Sequence, residues 1–256
     1  MTDNMVKVGR IISDSEPIED GINNSFRCIA CCDNEEYPVV AKYIKGIEIL
    51  KELICAILGR LINLPIPEPI LLLDQNDVFC FGSLDVGYPN LYHRLNIQDP
   101  YYIEFHSIIK NWSALESASF FDEFIINPDR HSGNLLYNGK DIAMIDHGLS
   151  MQLDKFTPDY DEDWNNILFN HLLCKFTELS CEHKLDKIAL CNRLTIWCEE
   201  IEEINNNNLI AKAINKIPIA HKSKNELLYF LTSRSEFIQK IINNRINPNQ
   251  MDFVNV

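Results

Sequence analysis

The stretch FIINPDRHSGNLLYNGKDIAMIDHGLS, residues 124–150, decides how the rest of the chain is read. Two apolar runs, LLY and DIAMID, flank Asn138-Gly139, a dipeptide that tolerates the positive φ angles of a two-residue hairpin turn. With Tyr137 and Lys140 flanking that turn, Asn134 falls opposite Ala143 and Asp146 opposite His131. Asp129 lies two residues further back. The hairpin returns Asp146 to the end that carries Asp129 and Asn134, and three oxygen-bearing side chains converge.

Such a cluster suits magnesium, a hard cation usually held by one or two carboxylates together with substrate phosphates. In this reading Asn134 and Asp146 are the metal ligands, and Asp129 is left to orient an attacking hydroxyl or take its proton. The spacing Asp129-x4-Asn134, followed by Asp146 opening D-H-G, has the form of a kinase catalytic loop and its metal-binding D-x-G.

Upstream, residues 5–12, 26–32, 37–44 and 78–84 read as strands, short and rich in β-branched or aromatic residues. A helix is expected over 48–62, where Ile49, Leu53, Ala56, Ile57 and Leu61 recur at helical spacing. Prolines in LINLPIPEPILLL, 61–73, end it and lead into another strand. PVVAK, 38–42, ends in Lys42, placed to reach nucleotide phosphates as a strand lysine does in kinases. Glu52 on the next helix is its expected partner, with Glu48 as rival. The turn from Gly21 to Ser25 stands where a phosphate-covering loop belongs, without G-x-G-x-x-G, and its amides and the Ser25 hydroxyl are candidate ATP contacts. Gly82 and Ser83 are expected at the adenine hinge.

Downstream, helices dominate. Ser113 and Glu116 read as a capping box before a helix through Phe121 and Ile125. Residues 154–163 form an acidic, irregular stretch, with the Asp159 to Asp163 run expected to be solvated. A helix is expected over 183–204 with Leu185, Ile188, Cys191, Leu194, Cys198 and Ile201 on its core face. Ser223 and Glu226 open a last helix reaching about residue 243. The fold class is α+β, with residues 1–84 as a sheet-rich unit and 85–256 as a mainly helical one.

A net charge of −14 without a basic run argues against nucleic acid and against an anionic membrane surface. No 20-residue apolar run spans a bilayer, since Arg60 and three prolines break the most apolar region, and no signal peptide is visible. Nine cysteines without a framework point to reduced thiols in a cytoplasm. Cys28, Cys31 and Cys32 have no second pair to complete a zinc site, so they read as packed thiols, and Cys174, Cys181, Cys191 and Cys198 as helix-face core. His131 reads as a packed histidine bonding the loop backbone, and Trp112, Trp164 and Trp197 as packing residues.

The run NPDRHSGNLL…GK…IDHGLS resembles the catalytic segment of HipA-like kinases, especially their short forms. ELICAILGRLINLPIPEP (52–69), FGSLDVG (81–87) and LTSRSEFIQKI (231–241) are similar to the family's helix and proline-rich strand entry, hinge and last helix. The D-R-H-x-x-N and I-D-x-G pattern also resembles phosphoinositide 3- and 4-kinases. The resemblance implies a two-lobed kinase-like fold with ATP in its cleft, Asp129 as catalytic aspartate, Asn134 and Asp146 on magnesium, and Lys42 on ATP. It implies transfer to a Ser or Thr hydroxyl of a protein, and permits a toxin role with an antitoxin partner. The alternatives are a lipid or small-molecule kinase on the same core, and an inactive pseudokinase or interaction module. His147 departs from the family pattern by replacing the Phe of D-F-G.

Overall fold

The computed structural model describes residues 6–18, 25–95, 102–152, 170–181, 183–219 and 222–246. Its N-terminal region holds strands β1 (Lys7–Ile11), β2 (Glu16–Pro17), β3 (Ser25–Cys32), β4 (Glu35–Lys42), β5 (Pro69–Leu73) and β6 (Phe79–Leu84). β3 and β4 form a hairpin whose tip residues, Asp33 and Asn34, both take positive φ, which short polar side chains tolerate. The sheet order is β1-β5-β6-β4-β3-β2, and β1 also pairs with β3, Arg10 opposite Cys31 and Ile11 opposite Ala30. Five strands thus close on themselves into a ring, with β2 extending β3 beyond the seam.

Period-two alternation fills the ring. Ile11, Phe26, Cys28, Ala30, Cys32, Val39, Ala41, Ile70, Leu72 and Cys80 form one buried cluster, with every strand of the ring contributing. The space is tight enough to demand glycine twice. A Cβ on Gly9 would stand 2.3 Å from Cys32 Sγ and 2.8 Å from the Cys31 carbonyl oxygen. One on Gly82 would stand 2.4 Å from Leu72 Cδ1. The CxxCC cluster follows the same alternation: Cys28 and Cys32 are interior, and burial pushes the Cys28 thiol up to about 11. Among the described residues no group of three or more His, Cys, Asp or Glu side chains is placed to hold a metal.

Helix α1 (Gly46–Leu61) packs on the outer face of β5 and β6, where Leu71 and Phe81 join the second, larger core. That core runs on through α4 (Leu115–Phe124), with Phe120, Phe121 and Phe124 fully buried. Between them come α2 (Leu91–Arg94) and α3 (Tyr102–Lys110). After α4 the chain makes a one-turn 3-10 helix (Ser132–Asn134) and a short hairpin, β7 (Leu135–Tyr137) and β8 (Ile142–Met144). Then follow α5 (His171–Ser180), α6 (Lys184–Asn206), α7 (Leu209–Lys216) and α8 (Lys224–Ile246). The result is a mixed α+β chain, β-rich in its N-terminal region and helical in its C-terminal part. No described helix is long and apolar enough to cross a membrane.

Several local expectations need correction. Ala114, not Ser113, is the N-cap of α4, and Glu116 instead accepts two hydrogen bonds from Arg193 Nε at 2.8 and 2.7 Å. The buried face of α6 is Leu190, Leu194, Trp197, Cys198, Ile201 and Ile204, while Leu185 and Ile188 lie exposed. Helical spacing alone allowed either stripe, and contact with α8 and α7 selects this one. Of the four late cysteines only Cys198 is fully buried, and Cys174 is exposed. Trp112 and Trp197 are buried as expected, whereas Trp164 and the acidic stretch 154–163 lie outside the described residues.

Candidate active site

Lys42 ends β4 and is buried, 8% exposed. Its Nζ donates to Glu52 Oε1 at 2.5 Å and to Asp146 Oδ1 at 2.8 Å, and lies over the Phe81 ring. Burial pulls its ammonium down, but the carboxylates of Glu52 and Asp146 outweigh that and hold it above the ordinary lysine value. Glu52 is buried too. Burial would raise its carboxyl, yet the Lys42 charge and contact with His147 keep it below the usual carboxylate range. The rivalry between Glu48 and Glu52 resolves by position. Glu48 Oε2 accepts the Lys45 N–H at the start of α1, a capping bond at 3.1 Å, and Glu52 one turn on meets Lys42.

His147, the departure from D-F-G, is 1% exposed and packs edge-on against Phe121 with ring centroids 6.1 Å apart. Its backbone N–H donates to Glu52 Oε2 at 3.0 Å. Glu52 therefore joins α1, β4 and the segment after β8 through one carboxylate.

The loop that carries Asp129 and Asn134 is placed by the end of α4. The Ile126 N–H donates to Glu123 O at 3.2 Å and the Asn127 N–H to Asp122 O at 2.9 Å, a Schellman closure with Ile126 in the left-handed position at φ 51°. Glycine usually fills that position, and a β-branched residue there costs about 1–2 kcal/mol. Burial of the Ile126 side chain holds it. Arg234 of α8 caps the same helix end, donating to Phe124 O at 2.8 Å and Glu123 O at 2.7 Å. Asn127 Oδ1 then accepts the Asp129 N–H at 3.1 Å, the turn that the N-P-D sequence favours. Asp129 keeps an accessible carboxylate, 45% exposed.

Asn134 Nδ2 donates to Asp129 O at 2.7 Å. Across the hairpin, Ile145 N–H donates to Asn134 O at 3.1 Å. The register differs from the expected one: Leu135 faces Met144 and Tyr137 faces Ile142. Asn138 Oδ1 accepts the N–H groups of Lys140 and Asp141, so four residues, not two, make the turn. The shift is an even number of residues, which keeps every side chain on its face. Asp146 takes φ 60°, a left-handed conformation open to aspartate, and its carboxylate reaches Lys42.

Arg130, beside Asp129 in the sequence, is central here. It is 3% exposed, and its guanidinium grips the buried Asp122 carboxylate through Nε (2.9 Å) and Nη2 (3.1 Å). Nη1 donates to Asn134 O at 3.1 Å and Ile145 O at 2.7 Å. One planar cation thus ties both halves of the hairpin base to α4. The only sequence signal was its place beside Asp129. His131 is exposed rather than packed, and its Nδ1 accepts the Gly133 N–H at 3.0 Å.

Of the expected site residues, Lys42, Glu52 and Asp146 form one hydrogen-bonded group and Asp129 and Asn134 another, linked through the Ile145 N–H on Asn134 O. Ser25 pairs with Lys42 across β3 and β4. Gly82 and Ser83 lie on β6 opposite Ala41 and Val40, leading away from Lys42, and Gly82 faces the ring interior. Gly21 lies outside the described residues.

The donor set fits a magnesium ion. Asn134 Nδ2 is engaged, which leaves Oδ1 as the donor, and Asp146 offers a partly exposed carboxylate, both hard oxygen ligands.

A model of HipA-like kinases matches residues 11–208. A crystal structure of a Helicobacter pylori proinflammatory kinase, CtkA, superposes with a TM-score of 0.57 at 16% identity, over 94% of this chain and 98% of that one. At that identity the likeness speaks for the fold. No curated protein matches the sequence significantly.

Proposed function

From membership of the HipA-like kinase family, to which this chain belongs, we propose that it transfers the γ-phosphoryl group of magnesium-bound ATP to a Ser or Thr hydroxyl of a protein. The observation that carries this is the Lys42 ammonium bridging Glu52 on α1 and Asp146 after β8. It joins the phosphate-binding candidate of the β-rich region to the metal-binding candidate of the helical region. Residues 1–84 and 85–256 would then be two lobes with the nucleotide between them, Gly82 and Ser83 near adenine, and Ser25 near phosphate.

Asn134 and Asp146 would hold the metal, which when bound supplies positive charge against the phosphate oxygens. The chain's own residues do the rest. Lys42, pinned by Glu52, presents an always-charged donor to the phosphates. Asp129, anchored through its backbone by Asn127 and Asn134 yet exposed at its carboxylate, aligns the acceptor hydroxyl and takes its proton. The net charge of −14 disfavours a phosphoinositide surface as substrate.

The test is thermal shift followed by transfer. Millimolar ATP with magnesium should raise the melting temperature of the wild type, and Asp146→Asn should lose that rise. Asp129→Asn should keep the shift but abolish label transfer from γ-labelled ATP to protein. A wild type that shows no shift would overturn the nucleotide site, and undiminished transfer by Asp129→Asn would overturn its role.

A further inference from the structure

Helix α6 has an outer face that its inner packing does not explain. Leu185, Ile188 and Ile196 are 76%, 49% and 67% exposed. With exposed Asn192 they recur at intervals of three and four residues, which lines them up along one side of the helix, opposite the buried stripe. Large apolar side chains in a row on a solvated helix mark a docking face.

Charge on the same helix is uneven: Asp186 caps its start through the His183 N–H and Arg193 lies midway, but the acidic excess is at the far end. Lys184 and Lys187 stand at its N-terminal end and Glu199, Glu200, Glu202 and Glu203 near its C-terminal end. The glutamates at the C-terminal end oppose the helix dipole, which favours bases there. The pattern costs the isolated helix stability and is self-complementary with an antiparallel copy.

We infer that the outer face of α6 pairs with α6 of a second copy of this chain about a two-fold axis at Asn192. Helical geometry then sets Ile188 of each copy against Ile196 of the other, with Leu185 covering each end. Lys184 falls beside Glu202 and Glu199 of the second copy. The two Asn192 amides meet on the axis, where a polar pair fixes register and orientation. Such an interface is isologous and closes at two subunits. A single helix pair buries less than the ~800 Å² per partner of a standard interface, and two copies of charge −14 repel, so the association is micromolar.

Sedimentation equilibrium of the full chain at ~0.15 M salt, over roughly 1–200 μM, tests this. The mass should rise with concentration from 29.6 kDa toward twice that value. Ile188→Glu, a substitution at an exposed position, should hold it at 29.6 kDa with an unchanged melting temperature. Lys184→Glu should weaken association about tenfold, and adding Glu202→Lys should restore it. A wild type that stays monomeric throughout, an Ile188→Glu variant that associates like wild type, or a charge swap that fails to restore association would each overturn the pairing.

Discussion

Replacing Arg130 by methionine keeps much of the side chain's length and removes the four hydrogen bonds that tie the hairpin base to α4. Asp122, 1% exposed, then keeps only the Asn127 amide, and the Ile145 carbonyl loses its arginine donor. Stripping one partner from a buried pair costs about 3–5 kcal/mol, because the other charge stays behind. A 256-residue chain melts with an entropy of about 0.5 kcal/mol per degree, so that loss lowers the melting temperature by about 6–9 °C. Asp122→Leu should cost a similar amount. If the two residues act as one clamp, the double variant loses clearly less than the sum, with a coupling of about 2 kcal/mol. Thermal unfolding followed by circular dichroism reads all four corners of the cycle. A shift under about 2 °C for Arg130→Met, or strict additivity in the double variant, would refute the clamp.

Glu52 should govern part of the acid limb of stability. Its folded pKa lies below the unfolded value of about 4.3, so its contribution is present above that pH and is lost as pH falls through the folded value. Melting curves between pH 6 and pH 3 should therefore fall less steeply in Glu52→Gln than in wild type, and parallel curves would count against the assignment. Glu48→Ala removes only a capping bond and should cost about 0.5–2 kcal/mol while leaving phosphoryl transfer intact, whereas Glu52→Gln should impair it. Gly9→Ala drives a Cβ against the Cys31 carbonyl, which cannot rotate aside, and should destabilise by about 1–3 kcal/mol in urea unfolding. An unchanged midpoint would mean that the ring is looser than its packing indicates.

Legibility tracked locality. Enrichment in β-branched and aromatic residues located β1, β3, β4 and β6 to within two residues, because it is a property of neighbours. The hairpin that follows Asp129 and Asn134 was readable because it is a local device, and the misjudged turn kept each side chain on its face because the slip was even. Distant partners were invisible. Nothing near Glu116 announces Arg193, 77 residues later, which draws it away from a capping role. Arg130 looked like a flank of the loop because its four acceptors come from three separate segments. Closure of the ring was equally hidden, since it depends on β1 finding β5 and β3 at once.

That closure sets an order of events during synthesis. β1 leaves the ribosome before β5, and its parallel pairing spans 63 residues, Lys7 lying beside Ile70. At about 5–20 residues per second β1 waits roughly 3–12 s for β5. The β3–β4 hairpin that carries Lys42 can register within microseconds of emerging, well before the ring can shut. A waiting strand is an aggregation hazard, and β1 is suited to the wait: KVGRI sets a cation at Lys7 and another at Arg10, with a glycine between them. The charges that end as surface ion pairs with Glu68 and Asp77 thus act first as gatekeepers of an unpaired edge.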